Sequence, residues 1–257
     1  MIKRTTTKTD NFDLSPGGTV SVVGAPNGSI TIEGWRQNIV EVTAEIEMQA
    51  ATTADLDRLS KITGFMTEES LSRIGIISIG THDKKYLKKA DKKLPKALIG
   101  LPFRIDYTIK VPSFCDIEID GGTGDLSISG VDGQMRVNFL NSNAKFELVG
   151  GGINATIGSG EVDVRIPTRS WRGRFAEFQL ATGTMNVFLP PDLNADVDGT
   201  ILRTGKIENA FEDLKPRARK VVFTEKSVAA KAGNGGISLK FTVGDGTLNI
   251  KPMPKPE

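Results

Sequence analysis

The chain has 257 residues, 28 of them glycine and only 6% aromatic, a composition that suits many tight corners and a narrow core in one domain, 1–257. A net charge of +2 carries no field that would mark nucleic acid as the partner, and one cysteine excludes a disulfide-stapled mini-fold. No apolar run approaches the roughly 18 residues of a transmembrane segment, and the opening MIKRTTTKTDNFDL has no signal-peptide core.

After a lead-in over 1–16, residues 17–50 read as the first strands. In NIVEVTAEIEM, Val40, Val42, Ala44, Ile46 and Met48 face one way while Glu41, Thr43, Glu45 and Glu47 face the other. Between TVSVV and SITIEGW, Asn27-Gly28 is a turn signal, because both residues tolerate positive φ. The period then changes over 52–64. Leu56, Leu59 and Ile62 recur three apart, Thr52 or Thr53 caps the start and Gly64 suits the stop, which predicts one short α-helix near residues 53–63. A stack of strands would use such a helix to cover an open end, or carry it along one side.

Residues 82–98 are lysine-rich, with seven lysines against one aspartate between Lys84 and Lys96, so the rest of the chain is net acidic. Lysines three and four apart repel one another on a helix, which predicts a solvated loop, and Pro95 closes any helix that does form. Tyr86, Leu87 and Leu94 are the residues able to pin it to the body. A functional reading stands beside this one. Lys85, Lys88, Lys89 and Lys92 would form a docking site for an anionic polymer or lipid surface, each lysine adding about 1 kcal/mol and losing it as salt rises.

Residues 103–250 carry the repeat. FRIDYTIKVP and FCDIEID alternate, and the second sets Cys115 inward as a small buried hydrophobe whose pKa the neighbouring carboxylates raise. Written in 18-residue lines, Leu126 and Ile128 fall over Ala144 and Phe146, and those over Val162 and Val164. Met135, Val137 and Phe139 fall over Ile153, Ala155 and Ile157 in the same frame. Each line holds two short strands between Gly-rich corners, a unit that buries its apolar face only when stacked. The fold class is therefore all-β, a β-solenoid-like stack of parallel strands, with Lys145 set beside Asp163 and Glu147 beside Arg165. Beyond it the glycine spacing loosens to 23 residues (Gly160 to Gly183) and then 22 (Gly183 to Gly205), and the stack continues irregularly to a disordered tail over 251–257.

Little chemistry is drawn on this scaffold. His82 is the only histidine, so multi-histidine metal sites are excluded, and no phosphate loop, dinucleotide fingerprint or nucleophile elbow occurs. Asp192, Asn194, Asp196 and Asp198 share one strand face, but a strand spreads them over roughly 20 Å, too far for one cation. No catalytic residue, metal ligand or cofactor is assigned. Trp171, Arg172 and Arg174 sit in a five-residue insertion in the repeat. They read either as a recognition loop or as a Trp folded onto the edge of the stack with solvated arginines.

GGTVSVVGAPNGSITIEGWRQNIVEV, the helix, and then IDYTIKVPSFCDIEIDGGTGDLSISGVDGQMRV resemble, in order and wording, the bacterial adhesin-like family of β-strand-repeat domains of unknown function, over residues 17–250. The resemblance implies a right-handed parallel β-helix-like stack, an extracytoplasmic place in the periplasm, the envelope or the medium, and no catalytic residues. It implies a non-catalytic adhesin-like recognition or structural module for a glycan, a protein or an anionic surface. The alternative is a carbohydrate-active β-helix enzyme, a polysaccharide lyase or hydrolase, which needs paired carboxylates in a groove.

Overall fold

Alternation at a period of two commits most of this chain to strands. The computed structural model describes residues 1–90, 94–167, 171–191 and 193–254. In chain order its elements are β1 (Ile2–Asp13), β2 (Thr19–Val23), β3 (Ile30–Trp35), β4 (Ile39–Ala50), α1 (Thr53–Leu59), β5 (Gly64–Ser70), β6 (Arg73–Ile79) and α2 (Lys84–Ala90). After a 3-10 turn at Lys96–Leu98 come β7 (Phe103–Pro112), β8 (Asp116–Thr123), β9 (Leu126–Ser129), β10 (Gln134–Asn141) and β11 (Ala144–Glu147). The rest are β12 (Gly150–Arg165), β13 (Arg172–Leu189), β14 (Ala195–Ile201), β15 (Gly205–Asn209), β16 (Leu214–Pro216), β17 (Ser227–Ala232) and β18 (Ile237–Pro252).

The strands form two parallel ladders. The first runs β6, β2, β8, β10, β12, β13, β18, β14. The second runs β7, β3, β9, β11, β12, β13, β18, β15. β12, β13 and β18 pass through both and join them into one sheet. The 18-residue register is present where the repeat is strict: Met135 pairs with Ile117 and Ile153, and Phe146 with Ile128 and Val164. Lys145 lies beside Asp163 and Glu147 beside Arg165. Inward side chains of the two ladders meet, with the rings of Phe146 and Phe178 5.0 Å apart edge to face and Phe178 stacked on Phe241 at 6.0 Å. These residues are fully buried, as are Val22, Ile32 and Val187.

Four features depart from a uniform parallel stack. Antiparallel ladders flank the ends: β1 on β4 and β4 on β7, β5 on β6, and β17 between β14 and β16. The β5–β6 hairpin turns at Leu71-Ser72, and a two-residue turn permits only antiparallel pairing. The order of strands is also not the order of the chain. β18 lies between β13 and β14, so Gly246 separates Gly183 from Gly205, which a stack continuing in chain order would set side by side. At the other end β2 and β3 lie between β6–β7 and β8–β9.

The third departure is a second helix where a lysine-rich loop was expected. The Asp83 carboxylate accepts hydrogen bonds from the N–H groups of Lys85 (2.8 Å) and Tyr86 (3.0 Å), Leu87 is buried, and Tyr86 and Leu94 pack against the core. Capping and burial together outweigh lysine repulsion worth a few tenths of a kcal/mol per pair. The expected helix is α1, with the Thr52 hydroxyl accepting from Asp55 N–H and with Leu56 and Leu59 buried beside β4. Fourth, the tail is tied down further than its prolines suggest: β18 extends to Pro252, and Met253 N–H donates to the Leu189 carbonyl at 2.8 Å.

One column of positions holds the corner between the ladders. Gly160, Gly183 and Gly246 stack there with φ of +130°, +140° and +141°. A Cβ on Gly183 would collide with the Gly160 carbonyl, and one on Gly246 with the Gly183 carbonyl. Gly183→Ala is expected to lower the unfolding free energy by about 2 kcal/mol or more, read from urea denaturation followed by circular dichroism.

Candidate recognition surface

In-register parallel strands set outward side chains in rows that cross the ladder, about 4.8 Å from strand to strand. On the first ladder one row runs Asn138, Thr156, Gln179, Thr242, Thr200 across β10, β12, β13, β18 and β14. Every member is uncharged and hydrogen-bonding. Beside it runs a trough whose floor is Gly158, Ala181 and Gly244, with Leu140 (68% exposed) and Leu202 (63% exposed) standing near its two ends. A Cβ on Gly158 would strike the Leu140 carbonyl and one on Gly244 the Ala181 carbonyl, so the floor stays shallow of side chains for steric reasons. The hollow measures about 220 Å³. Arg203 lines it and donates to Asp245 at 2.8 Å, which holds the Asp245 carboxyl below its usual range.

The neighbouring row runs Glu118, Arg136, Asn154, Glu177, Lys240, Asp198, its charges alternating in sign around the neutral Asn154. Arg136 lies 4.0 Å from Glu118, which Arg73 reaches from the adjoining row at 2.6 Å. On the second ladder Asn186 is 7% exposed and ties four strand neighbours together. Its amide N–H groups donate to Glu161 and Asp163, both at 2.9 Å, and its oxygen accepts from Asn249 and Lys251. Phe188, two residues on, lies between the Arg165 guanidinium at 5.1 Å and the Lys251 ammonium at 5.8 Å.

The residues singled out from the sequence do not converge. On α2, Lys84, Lys85, Lys88 and Lys89 are exposed along one side, and Tyr86 and Leu87 face the body; Lys92 lies outside the described residues. Trp171 is 5% exposed, its indole against Gly173, while Arg172 and Arg174 are exposed and Arg172 comes within 3.7 Å of Asp132. The indole is thus core, and the surface offers only the two guanidinium groups. Asp196 and Asp198 are occupied by Arg217 at 3.8 and 2.9 Å, and Asn194 accepts from Asn234 N–H; Asp192 lies outside the described residues. Among the described residues no group of three His, Cys, Asp or Glu is placed to hold a metal. His82 sits 5.3 Å from the Phe103 ring, and lost hydration lowers its pKa, which leaves the imidazole neutral near pH 7. A larger hollow of about 850 Å³ opens between Pro167, Pro191, Phe211, Pro252 and Met253, with Glu212 and Asp213 on its lining.

Sequence reasoning missed both the uncharged row and the Asn186 cluster. The period-two alternation marks each residue as outward, but the partners on β13, β18 and β14 lie at offsets of 23, 63 and 42 residues, which no repeat announces.

No family model matches the chain, and no curated protein matches it. Among the solved structures that match, three align with nearly the whole chain at low identity. A candidate cell adhesion protein from Clostridium sporogenes shares 14% identity, with 96% of this chain and 100% of that one covered and a TM-score of 0.49. A candidate adhesin from Bacteroides fragilis shares 11% identity over 96% and 97%, with a TM-score of 0.38. A candidate lipid binding protein from Parabacteroides distasonis shares 13% identity over 95% and 96%, with a TM-score of 0.25. Among the described residues no helix is long and apolar enough to cross a membrane.

Two buried groups set an alkaline limit. Burial, with some help from Asp116, pushes the Cys115 thiol from 9.0 up to about 12. Burial also raises the Tyr107 phenol, against a smaller opposing effect of its 2.7 Å hydrogen bond with Ser78. Both stay neutral when folded and ionise at lower pH when unfolded, so their stabilisation is complete below about pH 9 and is lost as the pH rises towards 12. The urea midpoint is expected to fall over that window, and the double variant Tyr107→Phe, Cys115→Ala to flatten the fall.

Proposed function

We propose that this chain is a non-catalytic, adhesin-like recognition module of the bacterial envelope or surface, wound as a right-handed parallel β-helix-like coil. The observation that carries the reading is the uncharged row from Asn138 to Thr200 beside its small-residue trough. Amides and hydroxyls both donate and accept, as sugar hydroxyls require, and uncharged groups cost less to strip of water than ions do. A row that repeats across strands suits an extended chain that lies across them. The partner class is therefore a glycan, held outside the cytoplasm. The test is a glycan array probed with the native chain and with Gln179→Ala, Thr242→Val. Binding that the double variant weakens at least tenfold, about 1.4 kcal/mol, supports the reading. Equal binding by both, or none by the native chain, sinks it. Turnover of a polyuronide in a parallel screen would favour the lyase or hydrolase alternative instead.

The exposed lysines of α2 favour a second contact, with an anionic surface. Retention on heparin is expected to fall with salt, and to fall further when Lys85, Lys88, Lys89 and Lys92 become Gln. Equal retention of the two proteins would remove that contact. Arg172 and Arg174 are proposed as a lesser polar site without their Trp171 neighbour.

A further inference from the structure

β1 is the outermost strand at one end of the second ladder. It pairs through all twelve residues with β4 and, among the described residues, with no other strand. Nine of its twelve residues are exposed, so its far edge is open. Its register is unbroken and it contains neither proline nor a bulge, two of the devices that commonly blunt an open edge.

The hydrogen-bond phase of that edge is fixed. Leu14 N–H donates to the Asn38 carbonyl at 3.1 Å, in line with the Asp13–Ile39 register, so even-numbered residues of β1 bond to β4. The N–H and C=O groups of Lys3, Thr5, Thr7, Thr9 and Asn11 therefore point along the open edge. Unpaired backbone groups in such a row are a template for one more strand.

We propose that this strand is β1 of a second copy of the chain, paired antiparallel about a two-fold axis at Thr7. The strand's own sequence selects both partner and register. Alternation of bonded residues allows only registers centred on a residue, and four lie near the middle. Centring on Thr9 sets Lys8 against Asp10 but pairs only residues 5–13 and places Phe12 against Thr6. Centring on Thr6 sets Arg4 against Lys8, and centring on Lys8 sets Lys8 against itself, both with like charges opposed. Centring on Thr7 sets Arg4 against Asp10, Ile2 against Phe12 and Thr5 against Thr9. Opposite charges, apolar groups and hydroxyls each meet their match, twice over by symmetry. The Thr–Thr contact already exists one strand inward, where the Thr9 and Thr43 hydroxyls lie 3.2 Å apart. Within one copy Arg4 contacts Asp57 at 2.7 Å and Lys8 contacts Asp10 at 3.0 Å; these pairs are solvent-exposed and rearrange at little cost. The pairing does not depend on the glycan reading and would turn one recognition surface into two on a shared sheet.

Sedimentation velocity on the full chain tests it. The native protein is expected to sediment at twice its 27.7 kDa at high micromolar concentration. Thr7→Pro removes an N–H from the open edge and none from the β4 pairing, so the variant is expected to be monomeric with an unchanged circular dichroism spectrum. Charge exchange covers the case in which that variant fails to fold. Arg4→Asp and Asp10→Arg alone should each weaken dimerisation at least tenfold, whereas a mixture of the two restores Asp against Arg at every pair and should form the mixed dimer. A monomeric native chain, or a mixture no more associated than its components, overturns the proposal.

Discussion

The structure depends on how closely the backbone of one strand layer approaches the next at the corner between the ladders. There the column Gly28, Gly124, Ser142, Gly160, Gly183, Gly246, Gly205 carries the chain from the first ladder to the second. A carbonyl from one layer fills the space where the next layer would carry a Cβ, so the hydrogen-bonded spacing is kept around the bend only if that atom is missing. Ser142 is the exception, 2% exposed with an unpartnered hydroxyl, and its carbonyl still faces Gly160. Loss of the spacing at one layer would shift every row above it, because outward rows exist only while strands stay in register.

Inside that frame the energetics are those of two ladders of one sheet packed through short inward side chains. Val, Ile and Ala fill most positions, and a line of rings, Phe146, Phe178 and Phe241, runs through the middle. Ser78 finds a partner inside the core in Tyr107 across the two ladders, whereas the Thr63 and Ser142 hydroxyls and the Trp171 indole N–H are buried without one. The outer faces are held by many exposed ion pairs, each worth little by itself; their alternation of sign along a row avoids repulsion rather than supplying much attraction.

The all-β class and the parallel pairing of β8 to β12 were legible because the repeat there is strict and each of these strand layers stacks on the next in sequence. Phe146 over Val164 is a matter of counting eighteen. The position of β18 was not legible: Phe241 pairs with Phe178 across 63 residues, and the intervening β14 to β17 share the same alternation. The second helix escaped because local repulsion among lysines was weighed without the Asp83 cap and the pocket that takes Leu87, and only the fold supplies the latter. Trp171 shows the converse. Its composition, Trp beside Arg, is that of a contact loop, yet the gap left by Gly173 draws the ring inward. Surface rows suffered most, since a row is a property of several distant strands and no one segment contains it.

The placement of β18 bears on how the chain is made. A simple stack can grow layer upon layer as the polypeptide leaves the ribosome, each new coil adding to the last. Here β14 and β15 emerge before the strand that separates them from β13, so the surface they will finally bind does not yet exist. The nascent chain must keep about forty residues waiting until β18 arrives to bridge both sides at once, which turns the final step of an otherwise sequential assembly into an all-or-none closure. A chain interrupted short of that strand would leave the ends of β13 and β14 bare, two sticky edges of the kind that chaperones hold and proteases remove.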